Sequence, residues 1–466
     1  MELALPTSRW KERPAGLRSL ENWLLCWLLL PNLGYWLFWI VGGPPRPIPI
    51  VITGLVGIFV HRAPFAVKIA AFGACMIFSA LAFVSSLFNL TILSLVFTFQ
   101  FASELSPSAS AEYVACGVAV TATFVLAWWL LKRPTTLVKP TRFAIAASLT
   151  LIAASADVAM SQGARGSYKR TPEAGAYFTS AVQKSGLERF ATGERHLVVV
   201  MVEAMGLPSD RALRRQLVDL WARPSVRARY SVTEGDTLFY GSTTNGEMRE
   251  LCGRWAEYAE VMERRDSNCL PARLRARGYQ TQALHTFNGS FFERSIWYPN
   301  IGFQSTRFAP ELVQAGAERC PGVFVGACDR DIPSQLAKTL KSAKQPQFLY
   351  WLTVNSHLPV VESATLHTDE CASFDARLAA QFPMTCRLMK LYDETGRSLA
   401  REITADDFPD SDILIVGDHI PPFFDRYHRD QFEPDRVPWI LLRPKNAAPA
   451  EPAVAAKAMG AESVKG

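Results

Sequence analysis

Apolar and polar positions divide the 466-residue chain into two halves. Before about residue 160 the apolar positions form long unbroken runs; beyond it they form short runs set between polar stretches. Five early runs read as membrane spans: Trp23–Val41, Ile48–Val60, Phe65–Leu87, Tyr113–Leu131 and Phe143–Met160. A bilayer takes about 20 apolar residues, so a sixth run, Leu90–Phe101, is short. Leu90–Leu105 is therefore expected to be an interfacial helix or an extracytoplasmic loop. The first run is too long and too aromatic for the apolar region of a signal peptide. With five spans, Arg9, Lys11, Arg13 and Arg18, the pair His61-Arg62, and the Lys132-Arg133, Lys139 and Arg142 loop all fall on the cytoplasmic side. Everything after Met160 is then outside.

The second half has an α/β rhythm. After a polar linker, His196–Val202 is a continuous β-branched run, the mark of a strand buried on both faces. Arg211–Leu220 reads as a helix, and Pro271–Gly278 as a helical piece ended by glycine. Tyr279–Leu284, Gln347–Val354, Asp412–Val416 and Val437–Leu442 read as further strands. The expected architecture is a multi-span α-helical membrane domain (1–161), a linker (162–195) and an extracytoplasmic α/β domain (196–445). The latter would hold a mixed, mostly parallel sheet with helices on both faces. The Ala/Pro/Glu-rich tail, 446–466, is expected to be disordered.

Composition sharpens this division. The net charge of +6 is spread along the chain without a basic stripe interleaved with aromatics, which argues against a nucleic-acid partner. Cys26, Cys75 and Cys116 fall in the membrane runs. The other six cysteines lie in the second half, and an even number in an exported domain suggests disulfides. Neighbours in sequence form natural pairs: Cys252–Cys269, Cys320–Cys328 and Cys371–Cys386. No CxxC pair invites zinc.

Chemistry gathers where the strands end. The first strand is followed by Glu203, the second by His285, the third by Asn355-Ser356-His357 and the fourth by Gly417-Asp418-His419. In open α/β sheets, sites form outside the carboxyl ends of the strands. Three of the seven histidines sit there. Glu203, Asp418 and His419 make a mixed O/N ligand set suited to Zn or Mn, with Mg possible. A hydroxyl would complete the coordination and serve as nucleophile. The stretch Phe239-Tyr-Gly-Ser-Thr-Thr-Asn-Gly-Glu247 supplies three adjacent hydroxyls, Ser242, Thr243 and Thr244, and spacing alone does not choose among them. Read by itself, it is an ordinary polar loop. His285 and His357 remain to bind an anion or act as acid and base, and Arg294 to clamp phosphate oxygens bidentately.

Cys269-Leu-Pro-Ala-Arg273 matches the C-x-P-x-R pattern that resembles the formylglycine site of true sulfatases. Against that reading, it opens an amphipathic helix, has a natural disulfide candidate in Cys252, and lacks paired aspartates around Glu203. The second half as a whole resembles the alkaline phosphatase superfamily, in its membrane-anchored sulfatase-like branch. That branch includes lipoteichoic acid synthases and phosphoethanolamine transferases. The matching stretches are Val200-Met-Val-Glu203, Gly241–Glu247, Leu270-Pro-Ala-Arg-Leu with Gly278-Tyr279, His285–Arg294, Asn355-Ser-His357 and Gly417-Asp-His419. The resemblance implies Glu203, Asp418, His419 and Thr243 as metal ligands, with Thr243 also the nucleophile. It implies His285, Arg294 and His357 as substrate-binding residues, with His428 as a further substrate histidine at a departing spacing. It further implies transfer of a phosphoethanolamine or phosphoglycerol group from a membrane phospholipid to an envelope glycan or lipid A, at a bacterial inner membrane. The alternatives are an anchored phosphodiesterase or sulfatase and, outside catalysis, a degenerate scaffold.

Overall fold

The computed structural model describes residues 15–41, 43–88, 92–98, 103, 105–161, 177–423 and 425–446. In the first half, Phe65–Ser86, Ala111–Leu130 and Pro140–Met160 are helices long and apolar enough to cross a membrane. The other two expected spans look different. Pro47–Phe59 is a shorter apolar helix. The run at Trp23–Val41 is broken into Ala15–Trp23, a π-helical Leu24–Leu29, Leu30–Trp36 and Phe38–Val41, with Pro31 near the start of the third piece. Proline lacks the N–H that would continue the ladder. Trp23, Trp27, Phe72 and Met76 pack inside this bundle, while Val118, Val125, Trp129, Leu151 and Ile152 are exposed. Such an apolar exterior suits lipid, as a membrane domain requires. The short run contains a seven-residue helix, Ile92–Thr98, with Ile92, Leu93 and Val96 exposed.

Among the described residues nine strands follow: β1 (His196–Val202), β2 (Tyr230–Leu238), β3 (Gln280–His285), β4 (Ser305–Arg307), β5 (Arg319–Cys320), β6 (Gly326–Ala327), β7 (Gln347–Leu352), β8 (Ser411–Gly417) and β9 (Arg436–Pro444). Seven of them form one sheet in the order β2-β9-β8-β1-β7-β3-β4, and β5 pairs with β6 in a separate hairpin. β8, β1, β7, β3 and β4 run parallel. β9 is antiparallel to both β8 and β2, so β2 points the same way as β8. All residues of β7 and β8 are buried, as expected for parallel strands covered on both faces.

Odd and even residues of β1 feed two cores. Val198, Val200 and Val202 pack with Leu213 and Leu217 of helix Arg211–Trp221, Leu336 of helix Ile332–Ser342, and Leu388 and Met389 of helix Pro383–Ile403. Leu197, Val199 and Met201 pack with Leu270 and Leu274 of helix Leu270–Ala276 and Trp297 and Tyr298 of helix Arg294–Asn300. The second core also buries Ala181, Val182, Leu187 and Phe190. The later part of the expected linker is therefore packed structure, because these apolar side chains close the open face of the sheet. Residues 162–176 of the linker, and the tail beyond Asn446, lie outside the described residues. The disulfides Cys252–Cys269, Cys320–Cys328 and Cys371–Cys386 form between sequence neighbours as expected.

Candidate active site

Five strands converge on one edge. β1 ends into Glu203, β3 at His285, β7 into the segment reaching His357, and β8 into Asp418-His419. The fifth, β2, was not anticipated from its sequence, and it carries the chain through Phe239–Gly241 to helix Thr243–Glu247. Gly241 has φ +72°, and a Cβ there would lie 2.0 Å from Asn245 Oδ1. That side chain accepts the Ser242 N–H at 2.9 Å and starts the helix. Only glycine makes this turn so tightly. Gly246 lets the same helix press against Asp418, whose backbone carbonyl would stand 3.1 Å from an added Cβ.

Of the three adjacent hydroxyls, the Thr243 Oγ1 faces the acidic cluster. It donates to Glu203 Oε2 at 3.1 Å and lies 3.2 Å from His419 Nε2. Ser242 Oγ and Thr244 Oγ1 are 3.2 Å from each other. His419 Nε2 is 3.3 Å from Glu203 Oε1 and 3.2 Å from Asp418 Oδ2. One ligand atom from each of Glu203, Asp418 and His419 lies within 4.8 Å of the others. His419 Nδ1 donates to the Ile420 carbonyl at 2.8 Å. In a neutral ring, Nε2 then holds a lone pair aimed at two carboxylates. Glu203 Oε1 and Asp418 Oδ2 are buried without a hydrogen-bond partner. Burial and the charge of Glu203 push the Asp418 carboxyl up. The two carboxylates overcome burial and push His419 up. Lone pairs crowded against buried anions fit a divalent cation, and the O/N donor set without thiolate suits Zn or Mn.

Other bonds fix these ligands. Asp418 Oδ1 accepts from Ala204 N at 2.8 Å and His419 N at 2.6 Å, leaving Oδ2 for the cluster. Glu203 N donates to Thr353 Oγ1 at 2.9 Å, and Ser356 Oγ donates to the Glu203 carbonyl at 2.7 Å. Arg249 donates to the carbonyls of Asp418 (3.0 Å) and Gly417 (2.7 Å).

The expected substrate residues fall in three different settings. His285 and His357 each use Nδ1 on a backbone carbonyl, Leu352 at 3.2 Å and Leu358 at 2.8 Å. Burial pushes both imidazoles down, so both are neutral near pH 7. The charge of Glu203 acts against burial at His357 without overcoming it. Arg294 departs from the expected clamp. Its Nε and Nη2 both donate to Glu247 Oε2, at 3.0 and 2.8 Å, and Nη1 donates to the Phe291 carbonyl at 3.0 Å. Its fork is committed to the end of the Thr243 helix. Tyr298 and Tyr350 hydroxyls complete that cluster on Glu247 Oε1, at 2.5 and 3.2 Å. His428 stands apart. It is held by Asp425 at 2.8 Å, in a pocket of about 260 Å³ with Glu112, Arg387 and Phe423.

Sequence reasoning included Glu247 in the matching loop without giving it a role, and it passed over Arg249, Tyr298 and Tyr350. The one available signal was Glu247-Met-Arg-Glu250, three charges in a row of otherwise buried positions directly after the hydroxyl loop.

Residues 231–461 match the family model described as Sulfatase. This match covers just under half of the chain and takes in most of the sheet's strands from β2 onward. The match spans Thr243, Asp418 and His419 but begins after Glu203. Among curated proteins, one from Rhizobium meliloti (strain 1021), named for cyclic beta-1,2-glucan modification, is 22% identical over 267 residues. That alignment covers 53% of this chain and 39% of the relative, so the chain spans well under half of its length. Similar solved structures include the integral membrane lipooligosaccharide phosphoethanolamine transferase A of Neisseria meningitidis. It is 12% identical with a TM-score of 0.46, over 92% of this chain and 88% of that one. The lipoteichoic acid synthase LtaP of Listeria monocytogenes is 18% identical with a TM-score of 0.40, over 59% and 71%. The phosphoglycerol transferase GacH of Streptococcus pyogenes is 15% identical with a TM-score of 0.36, over 53% and 68%.

Proposed function

We propose that this membrane protein is a metal-dependent transferase that moves a phospho-alcohol head group from a membrane phospholipid to an envelope glycan or lipid A. The observation that carries this reading is the Thr243 hydroxyl set within hydrogen-bond reach of Glu203 and His419. Glu203, Asp418, His419 and Thr243 would hold one divalent cation, which would lower the cost of ionising the threonine hydroxyl and polarise a phosphoryl oxygen.

In the first step the Thr243 Oγ1 attacks phosphorus, a P–O bond forms to threonine, the P–O bond to diacylglycerol breaks, and the proton that Thr243 gives up ends on the departing diacylglycerol oxygen. Glu203 Oε2 accepts the hydroxyl hydrogen and turns a lone pair of Oγ1 toward the incoming ester. In the second step an acceptor hydroxyl attacks the phospho-threonine and Thr243 leaves. His357, neutral and with Nδ1 already donating to a carbonyl, offers Nε2 to take the acceptor's proton. Confinement at an inner-membrane surface, with the domain on the periplasmic side, would bring the site to its lipid donor. The relative named for cyclic glucan modification favours a glucan among the acceptors.

The Sulfatase match supports a second, hydrolytic reading with water as the acceptor. A formylglycine version of it loses ground, because Cys269 is in a disulfide with Cys252. Thr243→Ala should lower turnover by on the order of 10⁴-fold while the protein stays folded. Mass analysis of the Thr243 peptide, after incubation with membrane phospholipids, should show the adduct. Wild-type activity in Thr243→Ala would sink the assignment. Product formed equally with and without glycan would favour hydrolysis.

A further inference from the structure

The pairing of β3 with β7 stops at His285 opposite Leu352. One more backbone contact follows, Thr286 N donating to the Leu352 carbonyl at 3.3 Å, and the β7 strand then runs on through Val354-Asn355 toward His357. One side chain ties the two strand ends together. Asp329 is 4% exposed, and its carboxylate accepts from Thr286 Oγ1 at 2.6 Å, from Val354 N at 3.2 Å and from Asn355 N at 2.7 Å. Asn355 returns the contact, its Oδ1 accepting from Asp329 N at 2.7 Å and its Nδ2 donating to the Ala327 carbonyl at 3.2 Å.

Asp329 is delivered by the β5–β6 hairpin, which the Cys320–Cys328 disulfide closes one residue earlier. That hairpin is pressed onto the His285 strand. Ala327 N donates to the Thr286 carbonyl at 2.9 Å, and a Cβ on Gly326 would lie 2.1 Å from that same oxygen. Phe324, in the hairpin turn, packs its ring 3.8 Å from the His357 ring. The turn also meets the membrane half, where Ser106 N donates to the Val323 carbonyl at 2.8 Å.

A buried carboxylate is costly unless its lone pairs are used. Among the described residues no Arg, Lys or His pairs with Asp329, so charge neutralisation does not explain it. Its three donors do. They belong to the two strand ends that present histidines, and a neutral amide could not accept from all of them at one point.

We propose that Asp329, with the disulfide-closed hairpin that delivers it, is a positioning residue for His285 and His357, fixing the spacing of the two strand ends across which the phosphate of the substrate would lie. This rests on the transferase reading above. The control of geometry is steep, because a displacement of about 1 Å at an active site can cost on the order of 10²-fold in rate.

The test uses the full chain in lipid nanodiscs, with wild type, Asp329→Asn and, as a control, Asp331→Asn, whose side chain caps Glu318 N on the outer side of the hairpin. With bis(4-nitrophenyl) phosphate as probe, kcat/KM of Asp329→Asn should fall by on the order of 10²-fold. Bound metal should stay at the wild-type stoichiometry, and Asp331→Asn should match wild type. Hydrogen exchange should quicken in peptides covering 280–290 and 350–360 and stay unchanged in those covering 196–204 and 411–420. If Asp329→Asn does not fold, Thr286→Val, which removes one donor only, should show the same pattern in smaller measure. Unchanged exchange at both strand ends, an unchanged kcat/KM, or metal lost together with activity would each overturn the proposal. A wild type that leaves the phosphodiester intact counts against the transferase reading alone, and the exchange pattern then decides this inference.

Discussion

The two flanks of the carboxyl edge handle buried charge in opposite ways. On the flank of β1 and β8, Glu203 Oε1 and Asp418 Oδ2 are buried without hydrogen-bond partners and face an imidazole nitrogen. Beside it, Glu247 accepts from Arg294, Tyr298 and Tyr350, and Asp329 accepts from three donors across β3 and β7. A protein interior tolerates unsatisfied carboxylates only where something else repays them. On the transferase reading the unsatisfied group would be the reactive one, and the saturated groups its supports. Residue type alone would not separate these roles, since both flanks use acidic side chains near histidine.

The sharpest break in this contrast should come at a saturated group. Glu247→Gln leaves the Arg294 guanidinium buried without its counter-charge, so stability should drop by roughly 3–5 kcal/mol in a denaturant titration. Little change would mean that the Glu247–Arg294 pair is not the support of the Thr243 helix. The unsatisfied group should respond the other way. Added Zn or Mn at about 100 times its Kd should stabilise the wild type by about 2.7 kcal/mol, seen as a rise in Tm. Asp418→Asn should lose most of that rise while being no less stable than wild type in chelator, since it removes one of two crowded anions. Equal metal response in both would refute the ligand assignment.

The smallest effect belongs to a charge pair near solvent. Burial alone would push Glu188 up, but the hydrogen-bonded Arg273 and the nearby Arg277 hold it below its ordinary value. A depressed folded value means stability present above the unfolded pKa and lost as pH falls through the folded one. Glu188→Gln should therefore cost under about 1 kcal/mol near pH 7, and the difference should shrink and vanish as pH falls through and below the depressed value. A difference that persists at low pH would assign the contribution to packing instead of charge.

Legibility in the sequence followed burial. β1, β7 and β8 are wholly or almost wholly buried, and their continuous apolar runs gave them away to within a residue or two. β2 was missed because Glu234, Gly235 and Asp236 sit in a half-exposed strand away from the centre of the sheet. The strand that leads to the Thr243 helix was thus the least visible of the five. The groups at strand ends stood out as polar residues closing apolar runs. Their supports did not. Arg294 reads as a free phosphate clamp until Glu247, 47 positions away in sequence, is seen to take it. Nothing local marks Asp329, whose meaning lies in donors from two other strands. The disulfides were legible because each joins neighbours along the chain.

The sheet order also sets a timetable. β2 touches the rest of the sheet only through β9, paired from Tyr230 opposite Pro444 to Leu238 opposite Arg436. A nascent chain whose residues beyond about 430 have not yet been released can assemble β1, β7, β3 and β8, and with them the acidic cluster and both histidines. It lacks the strand that pairs with β2, so the Thr243 helix is held only by its own contacts to Arg294, Tyr298, Tyr350 and the Asp418 segment. The hydroxyl would reach its place only after some 200 intervening residues have folded, a long-range closure that comes late by its entropy. On the transferase reading, a polypeptide cut short before β9 would carry every charged group of the cluster yet hold its hydroxyl loosely, and its turnover should fall accordingly.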